Sequence, residues 1–118
     1  MARKREYRSI NEVDEAYYRE RPEEIDSYLN TAFEEYAKNG CTAALLSSLR
    51  MIARVKGVSF LAEQSGITRI GIQEALAENA KPGFDTINSI INAMGYGITL
   101  QRLYRNSVTQ SRTSDNYE

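Results

Sequence analysis

The stretch that decides the fold is VSFLAEQSGITRIGIQEALA, residues 58–77. Its apolar residues recur at helical spacing on both sides of Gly66, which predicts two short helices joined by a tight turn. Gly66 can adopt the positive φ of such a turn, Ala62 is small where the helices meet, and Ile67 can insert into the core. The expected shared apolar side consists of Leu61, Ile72, Ala75 and Leu76. The pattern predicts a helix-turn-helix, although an ordinary helical hairpin can show it too.

The second of these helices is expected to present its polar outer side to DNA. Thr68 can cap the helix, and its hydroxyl can bond a phosphate or a base. Gln73 can make two hydrogen bonds to adenine, and Arg69 can reach guanine or a phosphate. Ile70 can touch a thymine methyl, whereas Glu74 suits cytosine but not a phosphate. The predicted DNA-binding residues are Ser59, Gln64, Thr68, Arg69, Ile70, Gln73 and Glu74.

Helical spacing continues on both sides of this stretch and predicts three further helices. Their expected ranges are 21–39, 42–57 and 84–94. Gly40 and Gly57 can end the first two in a left-handed conformation, and Ser59 is expected to cap the short helix that follows. In the last helix, the side chains expected to face the core are Phe84, Ile87, Ile90, Ile91 and Met94.

The two ends of the chain are expected to differ from this helical body. Residues 96–103 alternate in character and predict a short C-terminal strand. Because one strand alone is unstable, we expect it to pair with the same strand of a second copy, or to lie against the helices. Residues 1–20 are expected to form a flexible arm and residues 106–118 a disordered tail. The prediction is therefore all-α, with five helices and a short C-terminal strand in one domain, residues 21–105.

The composition argues against an enzyme. The chain of 118 residues contains no histidine and a single cysteine, Cys41. Histidine-based acid–base chemistry, Ser-His-Asp and Cys-His catalysis and finger-type zinc sites are therefore excluded, and we expect no metal or cofactor. The sequence contains no run of about 18 apolar residues, and its basic start is not followed by an apolar segment. A cytoplasmic protein without membrane contact is expected.

Charge is distributed unevenly along the chain. The net charge is +3 over residues 1–10, −6 over residues 11–38 and +3 over residues 39–105. This asymmetry is compatible with an ordinary mixed surface or with two surfaces that bind two different partners. An acidic row on the first predicted helix is a solvated face or a docking face for a basic protein. Its members are Glu23, Asp26, Glu34 and Glu35.

Six short segments between residues 27 and 103 carry a resemblance to a known family. They are YLNTAFEE at 28–35, IARVKGVS at 52–59, GITR at 66–69, EAL at 74–76, PGFDTI at 82–87 and AMGY at 93–96. In this order and spacing they resemble the HigA-like antitoxins, the addiction-module antidote proteins of bacterial toxin–antitoxin operons. The resemblance implies a lambda-repressor-like fold and a homodimer.

The resemblance also implies a function with two partners. Such a protein neutralises a co-encoded toxin, usually a basic RelE-like messenger-RNA nuclease, and represses its own operon by binding promoter DNA. The acidic row would then bind the toxin. Two alternatives stay open: a stand-alone repressor, which could be phage-derived, and a protein-interaction module that has lost DNA binding. Gln73 and Arg69 favour a DNA-binding protein, whereas Glu74 favours the interaction module.

Overall fold

A computed structural model describes residues 14–100 and 102–103, and all regular structure in this part of the chain is helical. Residues 14–20 are helical and are followed by a short 3₁₀ helix, Pro22–Glu24. The five α-helices after it are α1 Ile25–Asn39, α2 Thr42–Lys56, α3 Val58–Ser65, α4 Arg69–Ala75 and α5 Phe84–Ala93. The predicted all-α class is confirmed for the described residues.

The ends of the first two helices are set by glycines, as the sequence predicted. Gly40 has φ +64°, and its N–H donates to the carbonyl oxygen of Tyr36 at 2.7 Å. Gly57 has φ +100° and is both the C-cap residue of α2 and the N-cap residue of α3. The prediction that Ser59 caps α3 is therefore wrong. Because α3 already begins at Val58, Ser59 is its second residue, and no side chain caps this helix.

The core lies where α1 packs on α2, and α3 packs on α4 and α5. Its buried residues are Ile25, Leu29, Leu45, Leu46, Leu49, Met51, Ile52, Ala53, Leu61, Ile72, Leu76, Ile90, Ile91 and Met94. Leu61, Ile72 and Leu76 are at most 1% exposed, so the predicted apolar side of α3 and α4 is confirmed. Among the described residues, no helix has both the length and the apolar character needed to cross a membrane.

Phe84 departs from the expected pattern. It was predicted to face the core, but 71% of it is exposed, so this prediction is wrong. Phe84 is the first residue of α5 and lies at the rim of an open groove beside Tyr36 and Leu46. Helical spacing placed it on the apolar side of α5, but as the first residue of that helix it lines the open groove and stays in contact with solvent.

The two ends of the described chain also differ from the sequence-based picture. Residues 96–100 and 102–103 contain no β-strand, so the predicted C-terminal strand is not formed in the single chain. A strand needs a neighbour for its backbone hydrogen bonds, and the described residues provide none. Residues 14–20, placed in the arm by the sequence, are helical. The rest of that arm and the predicted tail lie outside the described residues.

Candidate functional site

The turn between α3 and α4 is built from local backbone geometry. Gly66 has φ +79°, and its N–H donates to the carbonyl oxygen of Ala62 at 2.9 Å. The next N–H, that of Ile67, donates to Oγ of Ser65 at 3.1 Å. The Ile67 side chain packs against the core from the turn. Three residues, 66–68, therefore link the two helices, and these hydrogen bonds and the Ile67 contact position the start of α4 relative to α3.

The start of α4 is fixed by a side-chain cap and by a close contact. Thr68 has extended backbone geometry, and its Oγ1 accepts a hydrogen bond from the N–H of Gly71 at 2.9 Å, which confirms the predicted cap. A Cβ on Gly71 would lie 2.8 Å from Cγ2 of Ile67 and 3.0 Å from Oγ1 of Thr68. Only glycine at this position lets the Ile67 methyl and the Thr68 hydroxyl lie so close to the helix backbone. Sequence reasoning did not single out Gly71, although glycine is unusual inside so short a helix.

All seven predicted DNA-binding residues are exposed. Four of them form one continuous surface along the start of α4. Its members are Thr68, Arg69, Ile70 and Gln73. Ser59 lies across a shallow groove from Thr68 and Arg69, at the junction of α3 and α4. Gln64 and Glu74 are exposed on the same two helices. The structure thus places Thr68 and three residues of α4 together and Ser59 beside them.

Two exposed apolar side chains accompany this polar surface. Ile70 is 65% exposed, and Phe60, which the sequence did not single out, is 49% exposed and lines the groove between the two helices. Thr68 retains a free hydroxyl hydrogen, because the cap uses its oxygen as an acceptor. The surface can therefore offer an amide, a guanidinium, a hydroxyl and apolar contacts, which is the chemistry that base edges and phosphates require.

The cations of α2 are occupied within the protein. Arg50 donates from Nη1 to the carbonyl oxygen of Leu76 at 2.5 Å, at the C-terminal end of α4. This guanidinium meets the negative end of the α4 dipole and satisfies a terminal carbonyl. The structure thus makes Arg50 a cap for the helix that carries the candidate site.

The other two cations near the end of α2 also have partners. Arg54 donates from Nε to Oε2 of Glu15 at 2.5 Å, which joins α2 to the helical residues 14–20. The ammonium of Lys56 lies 5.6 Å from the centre of the Tyr96 ring, within the range of a cation–π interaction. Both cations therefore hold neighbouring segments of the chain in place.

The structure separates the members of the acidic row. All four are exposed at least in part, but they face different neighbours. Asp26 and Glu34 line a cleft of about 290 Å³ between α1 and residues 96–99. Glu35 borders a different cleft of about 230 Å³, where α1 faces α2. Glu23 lies in the 3₁₀ helix that precedes α1. The acidic row is therefore a belt around α1 and not one flat face.

Asp26 also has an internal partner. Its Oδ1 accepts a hydrogen bond from the hydroxyl of Tyr96 at 2.6 Å, across 70 positions of sequence. Burial of the phenol raises the pKa of Tyr96 to about 12, and the hydrogen bond to the nearby carboxylate adds to this rise. The contact attaches residues after α5 to the first turn of α1.

An apolar groove opens beside the acidic belt. It has a volume of about 730 Å³ and lies between α1, α2 and the start of α5. Its apolar lining includes Phe33, Tyr36, Leu46, Phe84, Ile87 and Ile98. Two residues at the chain end, Leu100 and Leu103, are also exposed. The groove and these side chains leave apolar surface of the described chain open to solvent.

The described residues contain no group of three or more His, Cys, Asp or Glu side chains placed to hold a metal ion. Cys41 is exposed at the start of α2. The described residues instead present an exposed polar helix, an acidic belt and an apolar groove.

The chain belongs to a family described as "Probable addiction module antidote protein", which matches residues 9–102. It is 30% identical over 93 residues to an uncharacterized protein of Haemophilus influenzae, a match that covers 79% of this chain and 92% of that protein. No solved structure matches the chain significantly. The resemblance to antidote proteins is confirmed at the level of the family, and this membership supports an antitoxin role.

Proposed function

We propose that this chain is the antitoxin of a type II toxin–antitoxin module, neutralising a RelE-like toxin and repressing its own operon. Family membership supports the antitoxin role. The observation that carries the DNA-binding role is the exposed surface of Thr68, Arg69, Ile70 and Gln73 at the start of α4. In this proposal α3 and α4 are the helix-turn-helix of a lambda-repressor-like domain, and α4 enters the major groove.

Each side chain of this surface has a role in the proposed complex. Gln73 bonds an adenine at two points, and Arg69 reaches a guanine or a phosphate. Ile70 contacts a thymine methyl, which is an apolar partner for an apolar side chain that is 65% exposed. Thr68 donates its hydroxyl hydrogen to a phosphate oxygen while its oxygen continues to cap α4.

A titration against the DNA upstream of its own coding sequence tests the DNA-binding role. We expect specific binding that weakens steeply with salt, because phosphate contacts release counterions. Gln73→Ala should lose about 1–3 kcal/mol of binding free energy at one base pair and little elsewhere. Binding no stronger than to random DNA would contradict the DNA-binding role. Equal losses by Gln73→Ala on every duplex would contradict base readout by this residue.

The acidic belt is the proposed toxin-binding surface. A RelE-like toxin is basic, and the belt offers the exposed carboxylates of Glu23, Asp26, Glu34 and Glu35. Asp26 already bonds Tyr96, so Glu34 and Glu35 are the members tested. They are consecutive in α1, so their side chains project about 100° apart. Each lines a different cleft, which suits a partner that contacts α1 from more than one side.

Reversal of charge tests this surface with a matched control. The double variant Glu34→Lys, Glu35→Lys is expected to weaken capture of the small basic protein encoded beside this chain, and to leave promoter binding unchanged. The control, Glu63→Lys with Glu74→Lys, makes the same charge change at exposed positions of α3 and α4. It should not weaken capture. Equal capture by both double variants would contradict toxin binding by the acidic belt.

We also propose that the protein acts as a homodimer. The apolar groove and the exposed Ile98, Leu100 and Leu103 provide surface that a second copy would cover. The same contact would give residues 96–103 the neighbouring strand that a single chain lacks. Sedimentation equilibrium should give the mass of two chains, and the mass of one chain at micromolar concentration would contradict this part of the proposal.

A protein-interaction module without DNA binding is the second candidate. Two observations favour it: α3 and α4 each carry a carboxylate, Glu63 and Glu74, and they expose the apolar Phe60 and Ile70. A stand-alone repressor differs only in lacking a toxin. The promoter titration distinguishes the interaction module from the antitoxin and from the stand-alone repressor, because only the last two bind DNA. Capture of the adjacent basic protein then distinguishes the antitoxin from the stand-alone repressor.

A further inference from the structure

The cleft between α1 and residues 96–99 combines acidic side chains with an apolar base. Asp26, Asn30 and Glu34 line it at intervals of four residues, so they share one side of α1. These three residues are exposed and lie at its rim. Leu29 and Ile91 also line the cleft and are at most 5% exposed, so they lie at its base. The cleft thus offers a polar, negatively charged rim above apolar surface.

The carboxylates of this cleft have no cation as partner within the described chain. The ion pairs of the described residues use Glu15 and Glu20, and no lysine or arginine among these residues lines the cleft. Asp26 and Glu34 lie about 12 Å apart along the helix axis, with Asn30 midway. The charge complement of this cleft is therefore a cation of another molecule, placed between the two carboxylates.

One of the two carboxylates is already held in position. The Tyr96 hydroxyl donates to Oδ1 of Asp26 at 2.6 Å. An ionised carboxylate has about four acceptor sites, so Oδ2 and one site on Oδ1 are left for a ligand. The bond to Tyr96 restricts rotation of the Asp26 side chain before a partner arrives. Binding therefore costs less side-chain entropy than it would at a freely rotating carboxylate.

The size and chemistry of the cleft fit an arginine side chain. Its volume of about 290 Å³ is at the lower limit of the usual range for small-ligand sites. The apolar stem of an arginine can cover Leu29 and Ile91, while the guanidinium donates to a carboxylate and to the amide oxygen of Asn30. The ammonium of lysine is more strongly hydrated and lacks the planar fork of donors, so it matches this rim less well.

The second cleft beside α1 is a poorer match. Its volume is about 230 Å³, and the described residues that line it include one carboxylate, Glu35. A guanidinium would meet half the opposing charge there. The two clefts therefore differ in a way that experiment can use, because Glu34 and Glu35 are adjacent in the sequence but line different clefts.

We infer that the cleft between α1 and residues 96–99 receives an arginine side chain of a basic protein partner, with the guanidinium between the carboxylates of Asp26 and Glu34. This inference rests on the proposed capture of a basic toxin and assigns the recognition of one arginine to one cleft of the acidic belt. The other carboxylates of the belt then contribute attraction at longer range, which weakens as salt is added.

An arginine supplied by the chain itself tests the inference. In Asn30→Arg the new guanidinium lies four residues from both Asp26 and Glu34, the spacing at which opposite charges pair on a helix, so it occupies the cleft. The matched control is Thr31→Arg. It makes the same charge change at the neighbouring exposed position, four residues before Glu35 and in the other cleft.

The two variants are compared by capture of the small basic protein encoded beside this chain. Asn30→Arg should weaken capture at least about tenfold more than Thr31→Arg does, because only the first fills the receiving cleft. Both variants should keep the promoter affinity of the wild type. Both should also unfold at no lower urea concentration than the wild type, since each places an arginine at an exposed position beside a carboxylate.

A second measurement tests the identity of the inserted side chain. N-acetylargininamide and N-acetyllysinamide are each titrated into the wild type at equal ionic strength. The amide NMR signals of Gly97 and Thr99, which line the cleft, are followed. The arginine derivative should shift these signals at a lower concentration than the lysine derivative, and Asn30→Arg should abolish the shift.

The outcomes distinguish this inference from the function on which it rests. Equal capture by Asn30→Arg and Thr31→Arg, while the wild type captures the adjacent protein, overturns the cleft and leaves the proposed toxin capture intact. Equal NMR shifts with the two derivatives overturn the assignment to arginine. A wild type that does not capture the adjacent basic protein overturns the proposed toxin capture and this inference with it.

Discussion

Gly71 determines how tightly the turn can close on α4. Its missing side chain leaves space for Ile67 and for the capping oxygen of Thr68. Ile67 is β-branched and packs against the core, so its Cγ2 methyl cannot easily move aside. Close packing at Gly71 thus outweighs the helical preference for alanine, which is about 1 kcal/mol.

Gly71→Ala is expected to lower the free energy of unfolding by roughly 1–2 kcal/mol, because overpacking exceeds the gain in helix propensity. Urea denaturation measures the effect. The control is Gln73→Ala on the exposed side of the same helix, which should change stability by less than about 0.5 kcal/mol. A Gly71→Ala protein as stable as the wild type would mean that the overpacking costs no more than the gain in helix propensity, about 1 kcal/mol.

At the scale of elements, α4 is short and depends on its two ends. Seven residues form less than two complete turns, so most of its backbone groups are terminal and need partners from outside the helix. Thr68 supplies a partner at the start, and Arg50 supplies one at the end from the neighbouring α2. The orientation of the proposed recognition helix is therefore set partly by a residue that does not face the proposed DNA.

Arg50→Met should reduce the free energy of unfolding by about 1.5 kcal/mol, because it keeps the apolar stem and removes a charged hydrogen-bond donor. Arg54→Met is the matched control on the same helix. Its partner is the carboxylate of Glu15 on the protein surface, and such pairs contribute about 0–1 kcal/mol. Both variants are compared by urea denaturation. Equal losses of unfolding free energy would mean that the hydrogen bond from Arg50 to the Leu76 carbonyl stabilises the protein no more than the Glu15–Arg54 ion pair does.

At the scale of the whole molecule, the hydrogen bond from Tyr96 to Asp26 connects the two ends of the helical body. The pKa of Tyr96 is about 12 when folded, against a usual value of 10.0. Because folding favours the protonated phenol, its contribution to stability is complete below about pH 10 and is lost as the pH rises to about 12.

This linkage gives a pH-dependent prediction. Between pH 10 and pH 12 the wild type should lose more unfolding free energy than Tyr96→Phe, which has no phenol to ionise. Thermal or urea unfolding at several pH values measures the difference between the two proteins, so that the other tyrosines cancel. Parallel losses in both proteins would mean that folding, through burial and the bond to Asp26, does not raise the pKa of the Tyr96 phenol.

Local features of the fold were predictable from the sequence because they depend on neighbouring residues. Gly40, Gly57 and Gly66 have the positive φ values expected at helix ends, and Thr68 caps α4. The outward orientation of Gln73 and Arg69 follows from the same periodicity that buries Ile72 and Leu76. DNA binding by this surface stays a prediction, since orientation alone does not establish a ligand.

The sequence by itself determined the helices between residues 21 and 94, where most of them end and which side of α4 is apolar. The tertiary structure alone decided that Phe84 stays exposed, that Arg50 caps α4 and that Asp26 bonds Tyr96. The physical reason is distance along the chain. Periodicity and capping act within a few residues, whereas the partners of Arg50 and Asp26 lie 26 and 70 positions away and depend on how whole helices pack.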